Sequence, residues 1–115
     1  MTDQVRTAHL LIKHKDSRNP ISRRTNQGIK ISKEEALEEI QKFQELFQRE
    51  GMQSFPQKAF DRSDCSSHRA GGDLGFFSRG MMQRAFEDVS FQLNVGEMSD
   101  IVETDSGYHL IYRIE

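Results

Sequence analysis

Residues 5–13, Val-Arg-Thr-Ala-His-Leu-Leu-Ile-Lys, form the segment that most restricts the fold. β-branched and apolar residues dominate it, which predicts a strand, and they fall on both of its faces. Successive side chains of a strand point to opposite sides, so Ala8, Leu10 and Ile12 share one face while His9, Leu11 and Lys13 share the other. Such a strand belongs in the middle of a sheet, with a covering layer on each side. The rest of the chain has to provide both layers and the neighbouring strands.

The remaining segments can do this. Ser32 followed by Glu35 is a capping box, and Ala36, Leu37, Ile40, Phe43 and Phe47 then recur at helical spacing until Glu50-Gly51 ends the run. A second helix is predicted from Ser54, where Ser54 and Gln57 repeat the capping pattern, to about Arg62. Residues 63–72 are polar and irregular, residues 74–78 read as a short strand, and residues 83–93 as a helix burying Phe86, Val89 and Phe91. Ile101-Val102 and residues 107–114 form a hairpin across Thr104-Asp105-Ser106-Gly107. In its second arm Tyr108, Leu110, Tyr112 and Ile114 share one face, and His109, Ile111 and Arg113 the other. The order strand, helices, strand, helix, two strands predicts an α+β fold on an antiparallel or mixed sheet of about four strands. At 115 residues the chain is expected to be a single domain, 1–115, with no internal repeat.

Residues 14–31 lack periodicity, contain Asn19-Pro20 and Gly28, and read as a long loop, a feature that is usually functional or disordered. Charge concentrates here. Residues 1–33 hold eight Lys and Arg against two Asp, a balance of +6, while the whole chain carries −2 and the remainder therefore −8. A basic segment on an acidic protein suits a compact anion such as a phosphate group rather than nucleic acid. No apolar run approaches a membrane span, and the start, Met-Thr-Asp-Gln, has no secretory pattern. A lone cysteine forms no internal disulfide, which fits a reducing compartment. The expectation is a cytoplasmic or nuclear protein without membrane or nucleic-acid partners.

His9 and His109 lie inside predicted strands, where an apolar residue would be more usual, and Cys65 lies in Asp64-Cys65-Ser66-Ser67, feeding a glycine-rich turn. Three chemistries could use them: a Cys–His nucleophilic pair, a zinc site, or an isomerisation without covalent steps. One cysteine with strand-borne histidines is poor evidence for zinc. Spacing alone leaves the first and third open.

Several motifs in order resemble those of the parvulins. They are His9-Leu-Leu-Ile-Lys13-His14, Asp64-Cys-Ser-Ser67, Gly71-Gly-Asp-Leu-Gly75-Phe-Phe-Ser78-Arg-Gly80, Phe86-Glu-Asp-Val-Ser-Phe91, Val95-Gly-Glu-Met-Ser99 and Thr104-Asp-Ser-Gly107-Tyr-His109. The Cys-Ser-Ser loop and the basic loop resemble the Pin-type subfamily in particular. That resemblance implies a four-stranded half-barrel sheet wrapped by about four helices, and peptidyl-prolyl cis/trans isomerase (rotamase) activity needing no cofactor and no metal. It implies a catalytic group of His9, Cys65, His109 and Thr104, with Ser106 and Gln83 at the edge of a proline pocket walled by Leu74, Met82 and Phe86. It places the phosphate of a phosphoSer/phosphoThr-Pro substrate on Lys13 and Arg18, with Lys15, Arg23 and Arg24 as further candidates. One position departs from the family: a second arginine is usual beside the first, and Asn19 stands there, while Arg23 stands where some relatives have tryptophan. With no tryptophan, the chain is expected to lack the WW module that some members carry, and to act as a monomer on phosphorylated proteins or peptides. A phosphate-independent folding helper and a phosphopeptide-binding module without catalysis are the alternative functions.

Overall fold

The computed structural model describes residues 3–115. Its elements run β1 (Gln4–Ile12), α1 (Lys33–Glu50), α2 (Phe55–Arg62), a 3-10 turn (Ser66–Ala70), β2 (Asp73–Ser78), α3 (Arg84–Gln92), β3 (Val102–Thr104) and β4 (Gly107–Arg113). The four strands form one sheet in the order β2-β1-β4-β3, antiparallel throughout. β1 is central, as its two apolar faces require.

Each face has its own core. Ala8, Leu10 and Ile12 join Tyr108 and Leu110 of β4 against Ala36, Ile40 and Phe47 of α1 and Phe55 and Ala59 of α2. On the other side Val5, Phe77 and Ile111 pack with Phe86 of α3 and Leu93, and Val89 and Phe91 are half-buried against them. The pairing Leu10↔Leu110 and His9↔Ile111 keeps the two alternations in phase. A slip of one residue in either strand would turn that strand's histidine, His9 or His109, into the α1 core.

Two expectations need correction. The family resemblance implied about four helices, and the described residues form three α-helices with a single 3-10 turn. The polar stretch after α2 has no apolar stripe to bury, so it closes only one tight turn, ended by Gly71 in the left-handed conformation. The helix expected from Ser54 to about Arg62 is present with Ser54 at its N-cap position, but the capping contacts themselves are not made. Ser54 is helical rather than extended, so its side chain makes no cap, and Gln57 bonds Asp61 instead. At α1 the box forms in full: the Ser32 hydroxyl accepts from the Glu35 amide and Glu35 accepts from the Ser32 amide.

The feature that builds the site is a change of partner along β1. β2 pairs with β1 only from Gln4 to Ala8, with an irregularity where Leu74 and Gly75 together stand opposite Thr7. Beyond it the segment around Cys65 takes over the free side of β1. The His9 amide donates to Gly72 O (3.0 Å), the Leu11 amide to Ser63 Oγ (3.0 Å), the Lys13 amide to Asp64 Oδ2 (2.9 Å), and the Asp64 amide to Leu11 O (2.8 Å). Gly72 must be glycine, since a Cβ there would stand 2.3 Å from the His9 carbonyl oxygen and φ is +87°.

Candidate functional site

Two cavities open on the sheet face that carries His9, Leu11 and Lys13, and they share Leu11, Cys65 and Ser106 as a common wall. The first, about 180 Å³, is lined by His9, Leu11, Cys65, Leu74, Met82, Gln83, Phe86, Thr104, Ser106 and His109. The sequence reading had placed all of these except Leu11 in or beside one site, and the structure brings them together. Leu11 was missed although it lies between His9 and Lys13 on the same strand face. That alternation was the available signal.

The floor of this cavity is a chain of hydrogen bonds. Ser106 donates its amide to Thr104 Oγ1 (3.1 Å), Thr104 Oγ1 meets His109 Nε2 (2.7 Å), and His109 Nδ1 meets His9 Nδ1 (2.9 Å). The two imidazoles lie edge to edge and nearly coplanar, their centres 5.2 Å apart, and Phe86 presents its ring steeply inclined to both, 5.2 Å from His9 and 5.3 Å from His109. Both histidines are buried. Burial, then the neighbouring His9, lowers the His109 pKa well below the usual histidine range, so His109 is neutral at pH 7. The strand register brings the histidines together, because β1 and β4 are adjacent and His9 and His109 point to the same side.

Cys65 lies alongside His9 and Ser67, whose Nε2 and Oγ have no hydrogen-bond partner in direct reach among the described residues. Burial alone would push this thiol up. Interaction with the His9 imidazole, and then with Ser67, outweighs it and brings the thiol down to about 6. No group of three or more His, Cys, Asp or Glu side chains converges to hold a metal among the described residues.

The second cavity, about 410 Å³, is polar and lined by Lys13, Arg18, Asn19, Arg23 and Ser66 besides the shared wall. The loop from 13 to 32 is held in shape around it. Lys13 donates Nζ to the carbonyls of Asn19 (3.0 Å) and Ile21 (2.8 Å). The Arg18 amide donates to Asp105 O (2.8 Å), in the turn between β3 and β4. Ser22 Oγ donates to Asp64 Oδ1 (2.8 Å), and the Arg23 amide to Asp64 O (2.9 Å). Asp64 is 1% exposed, accepts from the Lys13 amide and pairs with Arg62 (3.1 Å), so one buried carboxylate ties loop, strand and α2 together beside Cys65. No sequence pattern marked Asp64 as that anchor. Of the candidate cations, Lys15 and Arg24 do not line the cavity. The Arg24 guanidinium turns to Asp64 Oδ1 at 4.0 Å.

Comparison with known proteins agrees with this arrangement. The family model described as Rotamase, PPIC-type PPIASE domain, matches residues 9–115. The peptidyl-prolyl cis-trans isomerase NIMA-interacting 1 of Theileria annulata is 52% identical over 114 residues, which cover 97% of this chain and 80% of that protein. Among solved structures, peptidyl-prolyl isomerase ESS1 from Candida albicans superposes with a TM-score of 0.92 at 43% identity, over all of this chain and 66% of that one. The solution structure of TbPIN1 gives 0.88 at 46% identity over the full length of both.

Proposed function

Because the chain belongs to the PPIC-type peptidyl-prolyl isomerase family and catalyses cis–trans isomerisation of X–Pro bonds in protein substrates, we propose that it prefers bonds in which the residue before proline is phosphoserine or phosphothreonine. One observation supports this reading: an apolar cavity and a cationic cavity share a wall at Leu11, Cys65 and Ser106.

The uncatalysed barrier is about 18–20 kcal/mol and reflects the loss of amide resonance. Acceleration needs a site that binds the twisted amide better than either planar form. Leu74, Met82 and Phe86 clamp the proline ring and exclude water from the peptide bond. The planar amide is the more dipolar state, with more negative charge on its oxygen, so a dry wall disfavours it. A Cys65 thiol that ionises near pH 6 adds a negative charge beside that oxygen at neutral pH, which further favours the twisted form. No bond to sulfur is needed. The His9–His109–Thr104 chain acts as a support that holds the site's polar atoms, with His109 kept neutral. Gln83 Nε2 donates to Ser106 Oγ (3.1 Å) and closes the rim between the two cavities.

A phosphate monoester carries about −1.5 to −2 charges at neutral pH, and its bonds to Arg and Lys are of the strong, charge-assisted kind. Arg18 and Lys13 are the groups that take it in this reading. Exchange spectroscopy on matched Ser-Pro and phosphoSer-Pro peptides, with catalytic amounts of protein, tests the proposal. Fast exchange confined to the phosphopeptide supports it. Equal exchange on both peptides assigns a general isomerase and rejects the preference.

A further inference from the structure

We propose that Arg23 is the second guanidinium of the anion cavity, gripping a phosphate monoester from the wall opposite Arg18 and making the site selective for phosphate over carboxylate. The inference rests on the phosphate reading above and names which residues discriminate within it.

Arg18 and Arg23 have no carboxylate partner among the described residues, in contrast to Arg6, Arg24, Arg62 and Arg79. Both are exposed and both line the same cavity. Their backbones are fixed on different walls. The Arg18 amide is bonded to the β3–β4 turn at Asp105, and the Arg23 amide to Asp64, the residue before Cys65. Lys13 lies between them with two of its three ammonium donors committed to the loop carbonyls, so it has one left for a ligand. Burial, and then the Arg23 guanidinium, lower the Lys13 pKa against the pull of Asp64. Arg18 also borders a neighbouring cavity lined by Asp16, Lys33, Glu103 and Asp105, where Glu103 is paired with Lys33.

Two forks and an ammonium arriving from separate directions match the three terminal oxygens of a phosphate monoester. A planar carboxylate offers two oxygens and a single charge, and satisfies one fork. Asn19, on the crest of the loop, contributes a neutral amide at most. The second fork therefore has to come from Arg23.

The test compares exchange rates on Ser-Pro, Glu-Pro and phosphoSer-Pro peptides for wild type, Arg18→Gln, Arg23→Gln, Arg23→Lys and Lys15→Gln. Arg23→Gln is expected to lower the phosphoSer-to-Glu preference about tenfold, Arg23→Lys by less, and Lys15→Gln, the charge-matched control outside the cavity, not at all. Arg18→Gln that loses the preference while Arg23→Gln keeps it would show a one-sided grip, overturning this inference and leaving the phosphate reading intact. Equal losses on all three peptides in Arg23→Gln would make Arg23 a structural residue and likewise overturn it. Wild type that treats Ser-Pro and phosphoSer-Pro alike would remove the phosphate reading and this inference together.

Discussion

The apolar cavity is walled mainly by side chains from β1, β2, α3 and the β3–β4 hairpin, whereas the cationic cavity depends on a loop whose shape is held by one buried carboxylate. The first is fixed by two packed cores and a strand register. The second is fixed by a few hydrogen bonds to Asp64, Asp105 and Lys13. Chemistry that depends on tight geometry has been placed on rigid elements. A looser frame tolerates substitution, and Asn19 and Arg23 both stand on that loop.

Phe86→Ala should give the largest effect. It removes the ring that covers both imidazoles and walls the apolar cavity, so turnover should largely vanish on every peptide, with a stability loss of about 3–5 kcal/mol. Exchange spectroscopy on protein shown by a thermal melt to be folded checks it, and wild-type rates in such protein would mean that the rigid cavity is not the catalytic one.

Asp64→Ala should separate the two regions. It strips partners from Lys13, Ser22 and Arg62, costs about 3 kcal/mol, and should lower rates on phosphorylated peptides more than on unphosphorylated ones. If both fall in proportion, the loop and the apolar cavity are one unit and the contrast drawn above fails.

pH probes the shared wall. With its pKa brought down to about 6, the Cys65 thiol should be alkylated by iodoacetamide with a rate midpoint near pH 6 rather than about 8.5. The linkage has a definite sign. A thiol pKa lowered by folding adds stability above the unfolded value, and that stability is lost as pH falls through about 6. His109, whose pKa is lowered by burial, acts in the same direction, because the unfolded chain gains a proton first as pH drops below about 6.5. Denaturant midpoints should therefore fall between pH 7 and 5, and less so in Cys65→Ser.

The smallest effect is expected at Asn19→Arg. An exposed guanidinium added to a cavity that already holds Arg18 and Arg23 should tighten phosphopeptide binding by about 1 kcal/mol or less. A gain of several kcal/mol in a peptide titration would mean that Arg23 leaves a fork unfilled.

The legibility of the sequence follows the same division. The alternation of β1 and β4 revealed two covered faces, and with them the placement of His9, Leu11 and Lys13 on one and of Leu10 and Leu110 on the other. The capping box at Ser32 fixed the start of α1, and the same pattern at Ser54 located the start of α2 although its capping contacts do not form, because side-chain type does not report the backbone angles a cap requires. Periodicity did not bring Cys65 to His9, which are 56 positions apart in the chain; that grouping came from family resemblance. The loop's shape stayed hidden. Its anchor is Asp64, whose contacts to Ser22 and Lys13 span 42 and 51 positions and leave no local signature.

His9, Leu11 and Lys13 occupy alternate positions of β1, and one belongs to the apolar cavity, one to both and one to the cationic cavity. The strand is thus a ruler with marks about 6.8 Å apart. In the proposed phosphate reading a peptide would be measured against it, a charge at the right number of bonds from the proline meeting both marks at once. Loop substitutions can change which charge is read. The interval itself is set by backbone pitch, and lengthening it by one residue would turn His9 to the opposite side of the sheet, so the spacing between the two cavities is the property of this site least open to change.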